Sequence, residues 1–280
     1  MWLAKKWRGS NTWSPEKRGM NFIAKYKLVW HFIIEKAEEE QMQNNSLIYH
    51  YTSIENLALI LHNRTIRFTS LAEVNDLDEV ETKEVEDIGK YCFVSCWTKS
   101  EEESIPLWNM YTPNMKGVRI ALPRDMFDTS FDPNEKDIPK KKVLIPISIP
   151  VPSPEYIDVV YDDCVRKLWS NNTLDGNVLG KSKKPVWSFE NECRFRLFLV
   201  PHDNKSRFVN LAEFNTWLKS YSKIINPKKI CDFALRNDIV SEIEVLLGPK
   251  TSIAEQFIVD ALAQKYGIKK VSKSLLRIRG

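Results

Sequence analysis

The 280 residues carry 43% hydrophobic and 28% charged side chains, a globular balance that excludes intrinsic disorder and allows a sizeable core without disulfide or metal staples. Lys and Arg number 41 against 37 Asp and Glu, and the formal charge of +4 is too small over this length to call for a nucleic-acid partner. The opening Met1-Trp-Leu-Ala-Lys-Lys-Trp-Arg8 lacks a leader's apolar segment, and the uncharged run Val143 to Pro154 is too short and proline-broken to span a bilayer. A cytoplasmic chain with no membrane partner is expected.

Ser14-Pro15 predicts a helix start, and Phe22, Tyr26, Val29, Trp30, Ile33 and Ala37 recur behind it at helical spacing. The polar run Gln41 to Ser46 closes this helical extension, residues 1–46. From Leu47 the pattern changes. Leu47 to Tyr51 predicts a strand, and Thr52-Ser-Ile-Glu55 has the spacing of a capping box opening a short helix with Ile54, Leu57, Ile60 and Leu61 inward. Thr65 to Thr69 predicts a second strand, and an acidic helix-prone stretch follows to Asp87, with Asn75-Asp76 read as an Asx-turn at a helix start. Tyr91 to Thr98 is apolar on both faces and predicts a central strand.

A short helix over Ile105 to Tyr111 places Trp108 and Tyr111 at i and i+3, and Lys116 to Leu122 is again strand-like. Lys142 to Ile149 and Tyr156 to Tyr161 predict a strand pair, followed by a helix from Cys164 to Trp169 and a mobile polar loop from Ser170 to Lys184. Pro185 to Val200 ends in a strand whose arginines, Arg194 and Arg196, alternate with Phe195, Leu197 and Leu199. The tail predicts a strand near Ile243 to Leu247, a Gly248-Pro249 turn, a helix from Thr251 to Lys265 and two closing strands near Ile268 and Leu275. Residues 47–280 therefore form one α+β domain, a mixed and split β-sheet flanked by helices.

Cys92, Cys96, Cys164, Cys193 and Cys231 form no CxxC pair, and His31, His50, His62 and His202 make no HxxxH spacing. Neither a disulfide framework nor a zinc centre is indicated, and reduced thiols are expected.

Tyr49-His50-Tyr51-Thr52, Asn75-Asp76-x-x-Glu79, Ser95-Cys96-Trp97, Trp108-x-x-Tyr111, Gly117-Val118, Trp187-x-x-Glu190-x-Glu192-x-Arg194 and Leu247-Gly248-Pro249 occur in this order. The set resembles the bacterial family catalogued as domain of unknown function 2971, over Leu47 to Ile278. His50-Tyr51-Thr52 ahead of a short helix, together with the late Glu190-x-Glu192, also resembles the NAD-dependent ADP-ribosyltransferases. That second resemblance implies NAD as substrate and a catalytic glutamate at the head of a late strand. A competing alignment uses Arg67, Ser95 and Glu192 in place of the His50 opening.

Cleaving a nicotinamide–ribose bond generates positive charge on the sugar, which a carboxylate must stabilise. Glu192 is the candidate for that role. In an extended segment Glu190 would face the same side about 6.6 Å away and would orient an acceptor nucleophile. The alternative is that both are solvent-facing strand residues paired with Arg194 or Arg196. His50 could donate to a cofactor hydroxyl beside a helix N-terminus opened by Thr52, with Tyr51 in the same stretch. Trp108 and Tyr111 could stack on a flat ring or simply belong to the core, and Arg119, Lys183 and Lys184 could neutralise a diphosphate.

The expectation is thus an NAD-consuming transferase of toxin or defence-effector character, acting on an acceptor macromolecule that the sequence does not name. Two other classes stay open. Asp76, Glu79, Glu190 and Glu192 with Lys184 would suit a metal-dependent nuclease or phosphodiesterase. A non-catalytic nucleotide- or protein-binding module is the third.

Overall fold

A computed structural model describes residues 46–80, 88–128, 154–163, 169–170, 173–174, 178–199, 213, 216, 219 and 229–279. The helix expected within residues 1–46, the strand expected over 142–149 and Cys164 lie outside them.

The fold is α+β, as the sequence pattern predicts. Strand β1 (Leu47–Thr52) leads through helix α1 (Ile54–Asn63) to β2 (Thr65–Ser70). The helix is capped by Ser53, whose hydroxyl accepts from the Asn56 amide, one residue later than the Thr52 box predicted, and it ends on Arg64 in the left-handed region. Two 3-10 turns, Leu71–Glu73 and Leu77–Val80, stand in the acidic stretch, the second opened by an Asx-turn in which Asp76 Oδ1 accepts from the Asp78 amide at 3.1 Å. Then come β3 (Cys92–Thr98), α2 (Ile105–Tyr111) and β4 (Val118–Pro123).

Three short strands, β5 (Glu155–Asp158), β6 (Val160–Tyr161) and β7 (Trp169–Ser170), are followed by β8 (Thr173–Leu174) and β9 (Ser182–Lys183). Trp169 therefore belongs to a strand rather than to the end of a helix. The stretch expected to be a loose loop ends as β9, which pairs in parallel with β6 and buries Lys183. A 3-10 helix, Pro185–Glu190, leads into β10 (Glu192–Phe198). Last come β11 (Ile230–Ala234), β12 (Glu244–Leu247), α3 (Ile253–Tyr266) and β13 (Lys270–Lys273). A strand at Leu275 does not form; that side chain is 91% exposed and has no sheet to join. β11 has no counterpart in the sequence reading.

Among the described residues nine strands form one sheet in the order β11-β2-β3-β1-β4-β12-β13, with β10 and then β5 branching from β3. Every pairing in it is antiparallel except β12 with β13. β10 covers one edge of β3 along its whole length, from Glu192 opposite Thr98 to Phe198 opposite Cys92. The other edge is shared. β2 pairs only at Val94 and Phe93, and β1 only at Thr98, so among the described residues no strand adjoins Ser95 to Trp97 on that side. The sheet is split there, with β1 and β2 parallel to each other and α1 bridging them.

Strand alternation divides the molecule into two faces. Ile48, Phe93, Trp97, Ile120, Phe195 and Val245 join the main core, which takes Leu57 and Leu61 from α1 and Val259 and Ala263 from α3. On the opposite face Tyr51, Leu107 and Trp108 form a small cluster under α2. That helix is anchored twice at its start. Ser104 caps it and donates its amide to the Tyr51 hydroxyl at 3.0 Å, while Glu103 accepts from Trp108 Nε1 at 3.0 Å and from Ser274 Oγ at 2.6 Å.

Gly117 passes so close to β1 that a methyl group placed on it would stand 2.2 Å from the Thr52 carbonyl oxygen and 2.6 Å from Thr112 Cβ. Gly117→Ala should lower stability by about 1–3 kcal/mol through this clash with backbone. Gly267, with φ at +74° as the C-cap of α3 and nothing near its missing Cβ, should lose only ~1 kcal/mol as Ala. Urea midpoints of the two variants test that order.

Candidate functional site

The gap in the sheet leaves backbone polar groups of β3 without a strand neighbour, and a buried carbonyl in that position needs another donor. His50 supplies it: Nδ1 lies 2.8 Å from the Cys96 carbonyl oxygen. A carbonyl only accepts, so Nδ1 carries the proton, and burial holds the imidazole pKa below its ordinary value against the opposing effect of that hydrogen bond. The ring is therefore neutral near pH 7 and its Nε2 presents a lone pair. This corrects the expected role, since His50 can accept from a ligand hydroxyl rather than donate to it. The ring is tilted on Trp97, 5.1 Å between centroids.

A cleft of about 380 Å³ opens beside it, lined by Tyr49, His50, Tyr51, Cys96, Trp97, Thr98, Leu107, Tyr111, Glu190 and Glu192. The early histidine and the late glutamate pair, 140 residues apart in the sequence, thus border one hollow. His50 also borders a second, more polar hollow of about 520 Å³ at the α1–β2 side, with Thr52, Asn56, Asn63, Thr65, Arg67 and Asp232.

Glu190 and Glu192 do not sit on one extended strand. Glu190 closes the 3-10 helix, Asn191 turns the chain in the left-handed region at φ 42°, and Glu192 opens β10. Both carboxylates reach Lys183, whose ammonium is 2.6 Å from Glu190 Oε2 and 3.0 Å from Glu192 Oε2. Glu190 Oε1 accepts from the Tyr111 hydroxyl at 2.7 Å. Arg194 grips Glu192 through Nε at 2.6 Å and Nη2 at 3.0 Å, and its other side pairs with both oxygens of Glu79. The Gly180 carbonyl takes a further Arg194 proton at 3.0 Å. The side chains of Glu79, Lys183, Glu190, Glu192 and Arg194 are each between 1% and 6% exposed. They are not the solvent-facing pairs that strand alternation allowed.

The two glutamates are thereby differentiated. Burial alone would raise both pKa values. For Glu192 the charge and hydrogen bonds of Arg194, with Lys183 behind them, overcome it and bring the carboxyl down to about 2. For Glu190 burial and the neighbouring Glu192 charge win over Lys183 and Tyr111, and the value is raised. Burial also works against the charge on Lys183, but Glu192 and Glu190 outweigh it and hold the ammonium firmly protonated. The tyrosine hydroxyl is kept protonated by burial and by Glu190.

Several expected ligand contacts fall elsewhere. Trp108 is fully buried, edge-on to Tyr51 at 4.7 Å, and has no ring face open to a ligand, while its partner Tyr111 does line the cleft. Thr52 is buried and accepts from Asn56 Nδ2 at 3.1 Å, and it faces the second hollow. The N-terminus of α1 is served by Ser53 and by the Glu55 carboxylate, which bonds its own amide, so it is not an open anion site. Arg119 bonds the Glu101 carbonyl at 2.6 Å and lies over the Tyr49 and Tyr51 rings, 4.5 and 6.0 Å from their centroids, without lining the cleft itself. Lys183 is committed to carboxylates and Lys184 to Asp78 at 2.5 Å, so neither is a free diphosphate ligand.

The alternative mapping does not converge: Arg67 pairs with Asp232 at the second hollow, and Ser95 accepts from Trp97 Nε1 within the sheet. Glu79, Glu190 and Glu192 do cluster, as a metal site would need, but Lys183 and Arg194 occupy the space between them. Among the described residues no group of His, Cys, Asp and Glu is arranged to hold a metal ion. No helix among them is long and apolar enough to cross a membrane.

Tyr111 and Lys183 acquire roles that their sequence neighbourhoods did not reveal. Tyr111 was visible as a ring at helical spacing but not as a donor to Glu190, and Lys183 looked like one of two loop lysines. Comparison of the chain with family models, curated proteins and solved structures finds no match.

Removing Arg194 leaves three buried carboxylates to the single ammonium of Lys183, so Arg194→Met should cost about 3–5 kcal/mol, whereas Arg67→Met, which breaks a half-exposed pair, should cost under ~1 kcal/mol in the same urea titration. A carboxyl held below its free-chain value of 4.5 stabilises the fold wherever it is ionised in both states, and that contribution is lost as the pH falls from about 4.5 toward 2. Glu190, with its raised value, acts in the opposite sense. Unfolding free energies measured between pH 7 and pH 2 should therefore fall less steeply for Glu192→Gln than for the wild type.

Proposed function

We propose that the cleft is the active site of an NAD-consuming enzyme of ADP-ribosyltransferase type. The observation that carries this reading is the convergence of a neutral, tautomer-fixed His50 and two glutamates whose pKa values are shifted in opposite directions on one aromatic-lined hollow at the split in the sheet. Its aromatic lining, with a few convergent polar groups, suits the nicotinamide–ribose end of the dinucleotide.

In this reading Tyr49, Tyr51, Trp97 and Tyr111 enclose the flat ring, and His50 Nε2 accepts from a ribose hydroxyl. Glu192, ionised and held by Arg194, stabilises the positive charge that develops on the ribose carbon as its bond to the nicotinamide nitrogen breaks. The bonding electron pair leaves with that nitrogen. The acceptor then bonds to the same carbon, and Glu190 takes the acceptor's proton, a task suited to a carboxyl whose pKa is raised. The family resemblance supports a role for the same residues without naming the acceptor. Metal-assisted phosphodiester cleavage is less well supported, because the carboxylates it requires are already paired with Lys183 and Arg194.

Purified protein incubated with NAD should release nicotinamide, measurable by chromatography. Glu192→Gln should slow release by about 10²–10³-fold, the usual effect of removing a group that stabilises transition-state charge. Release at equal rates from wild type and Glu192→Gln, or none from wild type with any acceptor fraction, counts against the proposal.

A further inference from the structure

We propose that this cleft selects aromatic cations, and so prefers an oxidised pyridinium ring to a neutral or reduced ring of the same shape. The inference depends on the proposed function only in treating the cleft as the ligand site. It does not require turnover.

Three buried carboxylates, on Glu79, Glu190 and Glu192, face two buried cations, on Lys183 and Arg194, and among the described residues no other charged side chain pairs with any of the five. Each oxygen of Glu190 accepts a proton, one from the Tyr111 hydroxyl and one from the Lys183 ammonium, which is the arrangement of an ionised carboxylate. One negative charge is therefore left over. It lies on the cleft side, since Glu190 and Glu192 line the hollow and Glu79 does not. A buried surplus charge costs free energy that a ligand of opposite sign can recover, and the attraction is stronger in a water-poor hollow than at the surface.

Two further features agree with this sign. Four aromatic residues, Tyr49, Tyr51, Trp97 and Tyr111, are among those that line it, and aromatic rings attract cations. Nε2 of His50 has no hydrogen-bond partner among the described residues and, with Nδ1 protonated, can only accept. The cations flanking the site are engaged elsewhere, Arg196 with Glu155, Lys184 with Asp78, and Arg119 with the Glu101 carbonyl while lying over the Tyr49 and Tyr51 rings. A cation with a flat ring and hydroxyl donors answers all three features; an anion has the wrong sign, and among the described residues no group of His, Cys, Asp and Glu is arranged to hold a metal ion.

The test is calorimetric titration of the full chain at pH 7 with N1-methylnicotinamide, a cation, and with nicotinamide, its neutral counterpart. The cation should bind at least tenfold more tightly, and Glu190→Gln should bring the two within about threefold by removing the surplus charge. Equal affinities in the wild type, binding of neither compound, or an unchanged ratio in a folded Glu190→Gln variant would overturn the inference. Should circular dichroism show that variant unfolded, titration of the wild type with NAD against its reduced form decides instead, with preference for the reduced form or none at all overturning it. Cation selectivity without nicotinamide release would defeat the proposed function and leave this inference standing. Turnover without selectivity would do the reverse.

Discussion

The hydrogen bond from His50 to the Cys96 carbonyl is the constraint on which the rest of the site depends. β3 cannot be fully paired on both edges, because β1 and β2 are held apart by the helix between them and each reaches only one end of it. A polar side chain has to meet the exposed backbone in the interval, and a histidine does so with one nitrogen while keeping the other available. The same bond satisfies the backbone, selects the tautomer and sets the ring at the boundary of two hollows. Fold and chemistry share one contact there.

The second constraint is electrostatic. Five charged side chains under one face of β10 are costly to bury, and well-packed apolar residues of similar volume would often serve stability as well or better. What the cluster provides is orientation. Lys183 holds Glu190 and Glu192 at a common point although a left-handed turn at Asn191 separates them, and Arg194 fixes Glu192 from the other side. The small parallel pair of β6 and β9 exists beneath this cluster and delivers Lys183, while Tyr161 on β6 accepts the Glu192 amide at 2.7 Å. Neutral replacements would fill the space without holding two carboxylates in different protonation environments.

Much of the α+β architecture was legible because it is written in short-range pattern. β1, α1, β3, α2 and β12 follow from apolar spacing and capping residues. What was not legible depends on partners far apart in the chain. Arg194 and Arg196 alternate with apolar residues as on a half-exposed strand, yet both are buried, because Glu79, Glu155 and the carbonyls of Leu179 and Gly180 come from other segments to meet them. The 182–183 strand has only two residues, too few for any periodicity, and the polar composition around it reads as loop. β11 was missed for a related reason: its edge position leaves Ile230 and Asp232 exposed, and the apolar signal reduces to Phe233. His50 was found by its motif, but the direction of its hydrogen bond could not be, since the sequence does not show that β3 has a gap.

Glu103 has a consequence beyond its own neighbourhood. Its carboxylate accepts from the Trp108 indole within α2 and, at the same time, from the Ser274 hydroxyl and the Leu275 amide at the far end of the sequence. Tyr111 rides on that helix and closes the hydrogen-bond chain to Glu190. Occupancy of the hollow and local fraying of the segment after β13 are therefore thermodynamically linked. A guest that tightens Tyr111 must also slow amide exchange at Leu275, and by reciprocity whatever grips that trailing segment must alter affinity at the hollow.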